Sequence, residues 1–257
     1  MSAHAEQVAA TTRCRVAAAR RFGAFTTLEL VAPELAALSR PGQFVMVTVP
    51  GGGHLLRRPI SLYTARAGRL GLLVESRGAG SDRLCAVEVG EAVDVAGPLG
   101  TPFPTAGVTN ALLVGGGIGC APLQFLADTL GANGAQVTAV FGFRDGRQAR
   151  IAGAFDLPRL WVATEDGSVG RRGMATELLG ALDVPPSTTI YCCGPLPMIA
   201  AVQRWAAAAG LGGYASLEAH MACGTGACHG CVVDTTRGYL RVCSEGPVFA
   251  LDEVVTT

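Results

Sequence analysis

Four cysteines near the end of the chain are the strongest constraint that the sequence carries. Cys223, Cys228 and Cys231 have the spacing C-x4-C-x2-C, and Cys243 follows after eleven further residues. The spacing of the first three is the plant-type pattern for a [2Fe–2S] cluster, which four thiolates hold. Glycines between the cysteines let the loop wrap closely, because glycine tolerates positive φ angles. The pattern therefore predicts that these four cysteines are metal ligands and that the chain has a redox function.

A structural zinc site is the alternative interpretation, because zinc is also bound by four thiolates. Zinc sites usually join two C-x2-4-C pairs, whereas here the last cysteine stands alone. The spacing favours the iron–sulfur cluster, but a zinc-stabilised binding module stays open as a function of another class. A Rieske centre would need two histidine ligands, and only His229 stands beside a cysteine of the run.

Composition argues against several classes of partner. The chain has 257 residues, of which 20 are basic and 20 acidic, so nothing predicts binding to nucleic acid or to an anionic membrane. No apolar run is long enough for a transmembrane helix, and the first residues lack the basic and apolar regions of a signal peptide. The cysteines outside the run lie in segments of regular structure and are expected to be reduced, which favours a cytoplasmic location.

Two patterns divide the chain ahead of the cysteines. Residues 1–106 contain short strand signals separated by Pro, Gly or charged turns, which is typical of a small antiparallel barrel. Residues 107–213 alternate apolar strands and helices, which predicts a parallel α/β sheet. Residues 214–257 are too few for a core of their own, so the metal is expected to organise them.

The predicted elements have these bounds. The candidate barrel strands are Arg13–Ala19, Phe25–Val31, Gln43–Val49, Pro59–Thr64, Leu70–Ser76 and Ala92–Val95. The candidate strands of the second part are Ala111–Val114, Val137–Phe143, Leu160–Thr164 and Thr189–Cys193. Helices are expected after Pro122, along Met174, Leu178 and Leu182, and from Met198 towards Gly210.

Three segments have the chemistry of a nucleotide site. Arg58-Pro59-Ile60-Ser61 offers a guanidinium fork and a hydroxyl three residues apart. Gly80 and Ser81 offer backbone N–H groups to a pyrophosphate, although a glycine-rich hairpin turn is the plainer interpretation. The glycines from Gly115 to Gly119 stand between a strand and a helix, where open α/β sheets bind ligands. The strict G-x-G-x-x-G fingerprint fails, which disfavours an ordinary Rossmann dehydrogenase but not a nucleotide site.

Taken in chain order, these segments resemble the ferredoxin–NADP reductase superfamily. The resemblance rests on Arg58-Pro59-Ile60-Ser61, Gly80-Ser81, the run from Gly115 to Pro122, Thr164-Glu165-Asp166-Gly167-Ser168, and Cys193-Gly194-Pro195 with Met198. The cysteine run, with Gly246-Pro247-Val248-Phe249, is similar to the electron-transfer subunits of dihydroorotate dehydrogenase B. The implied fold is ferredoxin reductase-like: an FAD-binding antiparallel β-barrel (1–106), a NAD-binding α/β domain with a parallel sheet (107–213) and a small C-terminal [2Fe-2S] segment (214–257).

The resemblance also implies which residues hold each cofactor. FAD would lie against Arg58, Pro59, Ile60, Ser61, Leu73, Val74, Glu75, Gly80 and Ser81. The nicotinamide nucleotide would lie against Gly116, Gly117, Ile118, Gly119, Cys193 and Gly194. Cys193 would be near the nicotinamide ring, although a buried strand-end thiol is the other interpretation. The acidic pair Glu165-Asp166 disfavours a 2′-phosphate, which favours NAD over NADP.

The activity that the resemblance implies depends on a second subunit. An FMN-containing dihydroorotate dehydrogenase catalytic subunit would oxidise dihydroorotate in pyrimidine biosynthesis, and electrons would pass through the [2Fe-2S] cluster and FAD to NAD+. The family implies a heterotetramer. The sequence shows no convincing general base for the dihydroorotate step, so the chain alone is expected to be inactive toward dihydroorotate. The flavin subunit of a sulfide dehydrogenase or of a ferredoxin-NADP oxidoreductase is similar across the same motifs and stays open.

Overall fold

The computed structural model describes residues 11–256, which form a closed barrel, a seven-stranded sheet and a separate two-stranded sheet. The expectation that the first residues lack a signal peptide lies outside the described residues. Across residues 11–256, no helix has the length and apolar character that crossing a membrane requires.

The elements have the following bounds. The strands are β1 (Thr11–Phe22), β2 (Phe25–Val31), β3 (Phe44–Val47), β4 (Arg58–Arg66), β5 (Arg69–Glu75), β6 (Ala92–Leu99), β7 (Asn110–Gly116), β8 (Gln136–Phe143), β9 (Leu160–Thr164), β10 (Arg171–Arg172), β11 (Thr188–Cys193), β12 (Gly213–Ser216), β13 (Val232–Thr235), β14 (Gly238–Arg241) and β15 (Val248–Ala250). The helices are α1 (Pro33–Leu38), α2 (Ala79–Cys85), α3 (Ala121–Ala132), α4 (Gly146–Ala149), α5 (Ala175–Leu179) and α6 (Leu196–Ala209). Short 3-10 turns lie at Gly117–Cys120, Arg150–Ala154 and Leu251–Glu253.

The antiparallel barrel predicted for the first part of the chain is confirmed. Its strands close in the order β1-β2-β5-β4-β3-β6, and Leu28, Leu30 and Leu72 are among the side chains that fill it. Strand β2 has the predicted bounds, whereas β1 and β6 run further than predicted. They are longer because backbone pairing continues past the apolar residues that the prediction used. Between β1 and β2, for example, pairing continues as far as Phe22 opposite Phe25.

Helix α2 lies where the glycine-rich segment after β5 favoured a turn. It begins at Ala79, and the hydroxyl of Ser81 donates to the carbonyl of Gly78 at 2.9 Å. The helix was not apparent from the pattern because Gly80 has a low helix propensity. Burial of Leu84 in the barrel core stabilises the helix instead.

The second unit is a seven-stranded sheet in the order β10-β9-β8-β7-β11-β12-β15. Every neighbouring pair is parallel except β12 with β15, which confirms the predicted parallel α/β architecture. The helix predicted along Met174–Leu182 is short, because α5 ends before Gly180. Helix α6 ends at Gly210, whose φ of +67° closes it.

The sheet continues into the segment predicted to hold only the cluster. Strand β12 begins at Gly213 and pairs with β11, and β15 returns antiparallel to β12. Two strands from the end of the chain therefore complete the sheet. The four cysteines all lie in the connection between these two strands, so both ends of that connection are anchored.

Close packing around Gly42 joins the barrel to the sheet. The N–H of Phe103 donates to the carbonyl of Pro41 at 2.8 Å, and the N–H of Thr101 donates to the carbonyl of Gly246 at 2.6 Å. These contacts link the exit of the barrel to the approach to β15. They fix how the carboxyl end of the sheet faces the barrel.

Replacing Gly42 by alanine is expected to lower the free energy of unfolding by about 2–4 kcal/mol. Gly42 has a φ of +94°, and an added Cβ would lie 2.8 Å from atoms of both Phe103 and Val248. Gly90→Ala is the matched control, because Gly90 has a φ of +95° and open space around it. Urea unfolding of both variants measures the difference, and equal losses would contradict the close packing at Gly42.

Candidate functional site

Two cavities open where the barrel meets the carboxyl end of the sheet. The barrel-side cavity has a volume of about 750 Å³, and the sheet-side cavity has a volume of about 950 Å³. Both have the size of a cofactor site. They share walls, because Glu75, Arg77, Ile118, Leu217 and Glu218 line both. Molecules bound in the two cavities would therefore meet at this junction.

All of the residues predicted to bind FAD line the barrel-side cavity. They are Arg58, Pro59, Ile60 and Ser61 on β4, Leu73, Val74 and Glu75 on β5, and Gly80 and Ser81 on α2. The barrel brings them together, because β4 and β5 are neighbouring strands and α2 follows β5 directly.

Arg58 lies over the first turn of α2. A Cβ on Gly80 would lie 2.4 Å from Nη2 of Arg58, so a side chain at position 80 would displace the guanidinium. The guanidinium also donates from Nη1 to the carbonyl of Leu56 at 2.5 Å, which fixes its orientation. The guanidinium fork, the nearby hydroxyl of Ser61 and the bare backbone form a cationic wall that suits a pyrophosphate.

The glycine turn after β7 forms part of the sheet-side cavity. Gly116, Gly117, Ile118 and Gly194 line this cavity. Gly119 does not line either cavity, and a Cβ there would lie 2.4 Å from the carbonyl oxygen of Cys193. Gly119 therefore lets the turn pack closely against the end of β11.

Cys193 lies where the two cavities meet. It ends β11 and lines the barrel-side cavity, whereas Gly194 lines the sheet-side cavity. The two residues straddle the junction, because both cavities open at the end of this strand. Burial, together with the nearby carboxylate of Glu218, raises the pKa of the Cys193 thiol well above its ordinary value. The thiol is therefore neutral and unsuited to nucleophilic chemistry.

The sequence patterns did not mark several further residues of the barrel-side cavity. These residues are His54, Arg77, Glu218, His220 and Met221. Arg77 pairs with Glu75 at 2.5 Å, and burial raises the pKa of Glu218 although Arg77 opposes the shift. They come from three separate parts of the chain, so no local motif contains them. The one available signal was the position of Glu218, His220 and Met221 just ahead of the cysteine run.

The four predicted metal ligands all lie in the connection between β12 and β15. The N–H of Cys243 donates to Sγ of Cys231 at 3.4 Å, and Cys228 is close enough to Cys223 to lower its pKa. Cys231 and Cys243 are buried, whereas Cys228 is exposed. Within the described part of the chain, no three His, Cys, Asp or Glu side chains form one compact metal-binding group.

Backbone amides point at the cysteine sulfurs. The N–H of Gly226 donates to Sγ of Cys243 at 3.1 Å, and the N–H of Thr225 donates to Sγ of Cys223 at 3.4 Å. Burial opposes ionisation of Cys223, but hydrogen bonds from the Thr225 amide and from Cys228 lower its pKa to about 6. Burial and the neighbouring thiol of Cys231 raise the pKa of Cys243 to about 12. Cys223 is thus a thiolate at neutral pH, the form that binds metal.

The cysteine loop lies against the barrel, close to the barrel-side cavity. A Cβ on Gly224 would lie 2.6 Å from the side chain of Met46 on β3. Met221 lines the barrel-side cavity, and only Ala222 separates it from Cys223. A group held by the four cysteines would therefore be adjacent to a molecule in that cavity.

Known proteins share both the C-terminal segment and the fold. Residues 218–255 match the family model described as the iron-sulfur cluster binding domain of dihydroorotate dehydrogenase B. The structure of an NADH-dependent reduced ferredoxin-NADP oxidoreductase superposes with a TM-score of 0.81 at 26% identity, covering 94% of this chain and 89% of that one. The ferredoxin reductase in carbazole 1,9a-dioxygenase superposes with a TM-score of 0.67 at 23% identity, covering 79% and 66%. The ferredoxin reductase-like fold is confirmed.

Relatives match over most of the sequence. The dihydroorotate dehydrogenase B (NAD(+)) electron transfer subunit of Shouchella clausii is 40% identical over 236 residues, which cover 85% of this chain and 87% of that protein. The protein of the same name from Bacillus cereus is 39% identical over 232 residues, covering 85% and 88%. The chain therefore belongs to the family of dihydroorotate dehydrogenase B electron transfer subunits.

Proposed function

We propose that this chain acts with an FMN-containing dihydroorotate dehydrogenase catalytic subunit and delivers its electrons to NAD+. The chain is the electron transfer subunit of an NAD-dependent dihydroorotate dehydrogenase, and its cofactors are FAD, a [2Fe-2S] cluster and NAD. When bound, FAD exchanges electron pairs with NAD and single electrons with the cluster. The observation that carries the proposal is the adjacency of three sites. The barrel-side and sheet-side cavities share walls, and the cysteine loop begins one residue after Met221, which lines the barrel-side cavity.

The barrel-side cavity is assigned to FAD. Arg58 and Ser61 would hold its phosphates, and the bare backbone at Gly80 would let the pyrophosphate approach closely. Leu73 and Val74 also line this cavity and would form part of its apolar wall. A cationic wall beside an apolar one fits a dinucleotide that is anionic in the middle and aromatic at its end.

The sheet-side cavity is assigned to NAD(H). It lies at the carboxyl ends of the parallel strands, where Gly116 and Gly117 turn the chain into α3. Ligands of open α/β sheets bind at this edge. Glu165 lines the same cavity, and its carboxylate would repel a 2′-phosphate, which supports NAD over NADP.

The geometry of the cysteines favours a two-iron cluster over a single zinc ion. A tetrahedral zinc ion needs its four thiolates around one point, whereas each iron of a [2Fe–2S] cluster takes only two of the four thiolates. Cys231 and Cys243 are joined by the hydrogen bond from the Cys243 N–H to Sγ of Cys231, which fits the second arrangement with Cys223 and Cys228 as the other pair. Since Cys228 is the exposed member, the partner subunit is expected to dock beside it.

A cytoplasmic location is part of the proposal. All nine cysteines are free in the structure. Free thiols persist where the compartment is reducing, which supports the cytoplasm over an oxidising location.

Purifying the native complex and identifying its second subunit tests the proposed partner. The expected complex contains an FMN subunit and reduces NAD+ when dihydroorotate is added. The isolated chain is expected to oxidise NADH with an artificial electron acceptor but to be inactive toward dihydroorotate. A glutamate-synthase-like partner would contradict the proposal and support a sulfide dehydrogenase or a ferredoxin-NADP oxidoreductase complex.

Arg58→Ala is expected to weaken FAD retention by about ten- to hundred-fold, because it removes a charged hydrogen-bond donor from the phosphate wall. Flavin content and FAD titration of the apoprotein measure the change. Arg57→Ala is the matched control, since Arg57 contacts Thr11 (3.1 Å) and does not line either cavity. Equal flavin content in the two variants would move the phosphate site elsewhere.

Cys228→Ser is expected to abolish the cluster while FAD stays bound, because the serine removes one of four thiolates but leaves the barrel-side cavity intact. Iron analysis and the paramagnetic signal of the reduced protein report on the cluster, with two irons per chain expected before mutation. Cys85→Ser is the control, since Cys85 lies on α2 away from the run. A colourless, zinc-loaded wild-type chain would refute the iron assignment.

A further inference from the structure

The hairpin of β13 and β14 lies between two of the cysteines and also forms a wall of the sheet-side cavity. Strand β13 begins directly after Cys231, and β14 ends two residues before Cys243. Val233 and Asp234, both on β13, line the cavity. One short element thus reaches from the cluster ligands to the nucleotide site.

The base of this hairpin is closed by the cysteine pair itself. The N–H of Val242 donates to the carbonyl of Cys231 at 3.0 Å, and the N–H of Cys243 donates to Sγ of Cys231 at 3.4 Å. A metal group that takes both sulfurs would clamp the two strands together at this point, as metal binding orders small segments elsewhere.

The tip of the hairpin is held by the end of the chain. The N–H of Thr236 donates to the carbonyl of Glu253 at 2.9 Å, and Arg237 forms a salt bridge with Glu253 at 2.9 Å. Gln203 on α6 donates to the carbonyl of Val254 at 2.8 Å. Glu253 and Val254, called the tail here, thus connect the hairpin to α6. The first turn of α6 borders the sheet-side cavity.

Sheet order places the hairpin at one end of the sheet-side cavity. Glu165 follows β9, whereas Leu217 follows β12, and four strand spacings of about 4.8 Å separate these strands. The tail that holds the hairpin follows β15, the strand beyond β12. The hairpin thus lies at the end of the cavity that is shared with the barrel-side cavity.

We propose that this hairpin couples the cluster to nucleotide binding: the cluster holds its base, and Val233 and Asp234 contact NAD(H) in the sheet-side cavity. The inference rests on the proposed function, because it takes NAD(H) as the occupant. Coupling between two binding events is reciprocal. Loss of the cluster lowers the affinity for the nucleotide, and bound nucleotide slows the loss of iron.

The first experiment changes the wall and leaves the cysteines in place. Val233→Phe in the full chain, with flavin and iron contents equal to wild type, is expected to raise the Kd for NAD+ at least about five-fold. Val232→Phe is the matched control, since Val232 is an exposed valine of the same strand that does not line the cavity. If phenylalanine at 233 prevents folding, Asp234→Ala takes its place with the same expected loss of affinity. An unchanged Kd in the folded variant overturns the inference.

The second experiment measures the reciprocal effect. Iron loss to a chelator is followed with and without NAD+. The oxidised nucleotide is used because it does not reduce the protein. All three proteins are compared at one NAD+ concentration, far above the wild-type Kd. NAD+ is expected to slow iron loss at least about two-fold in wild type and in Val232→Phe, but not in Val233→Phe. Wild type that binds NAD+ without protecting its iron overturns the coupling alone. Wild type that does not bind NAD+ at all contradicts the proposed function instead.

Discussion

The pairing of β15 with β12 is the interaction on which the arrangement of the sites depends. It makes the chain leave the sheet after Ser216 and return to it at Val248. The segment between these two residues must therefore cross the face of the barrel and come back. On the way it packs Gly224 against Met46, and its Gly246 carbonyl accepts a hydrogen bond from the N–H of Thr101 at the barrel exit. The cysteines are held beside the barrel-side cavity because both ends of their loop are fixed.

Burial controls the chemistry of the groups around the two cavities. Cys193 and Glu218 both have raised pKa values, because each carries its ionisable group into a poorly solvated junction. Their neighbours Glu75 and Arg77 neutralise each other in an ion pair. Cys223 differs, since amide hydrogen bonds outweigh its burial and lower its pKa. The junction therefore keeps Cys193 and Glu218 in their neutral forms, whereas Cys223 in the loop is held as a thiolate.

Short-range patterns carried much of the fold and part of the site. Strand β2 has its predicted bounds, since its alternating side chains follow the barrel interior. Arg58 and Ser61 were expected at one site because they lie close together in the sequence of one strand, and both line the barrel-side cavity. Helix α2 could not, because its stability comes from burying Leu84 rather than from its own residues. The cavity that Cys193 faces also depends on packing around it and has no signature in the local sequence.

The spacing of the four cysteines predicted the [2Fe–2S] cluster, and the order of the glycine and arginine segments carried the resemblance that implied FAD and NAD. This works because ligand number, loop length and turn glycines are local properties of a chain. The contacts of Arg77, Glu218 and the β13–β14 hairpin are different, because they join residues far apart in sequence. They arise only when β12 and β15 close the sheet and bring the cysteine loop against the barrel. The packing of the cysteine loop against the barrel decides which residues form the wall shared by the two cavities. No local sequence pattern encodes this packing.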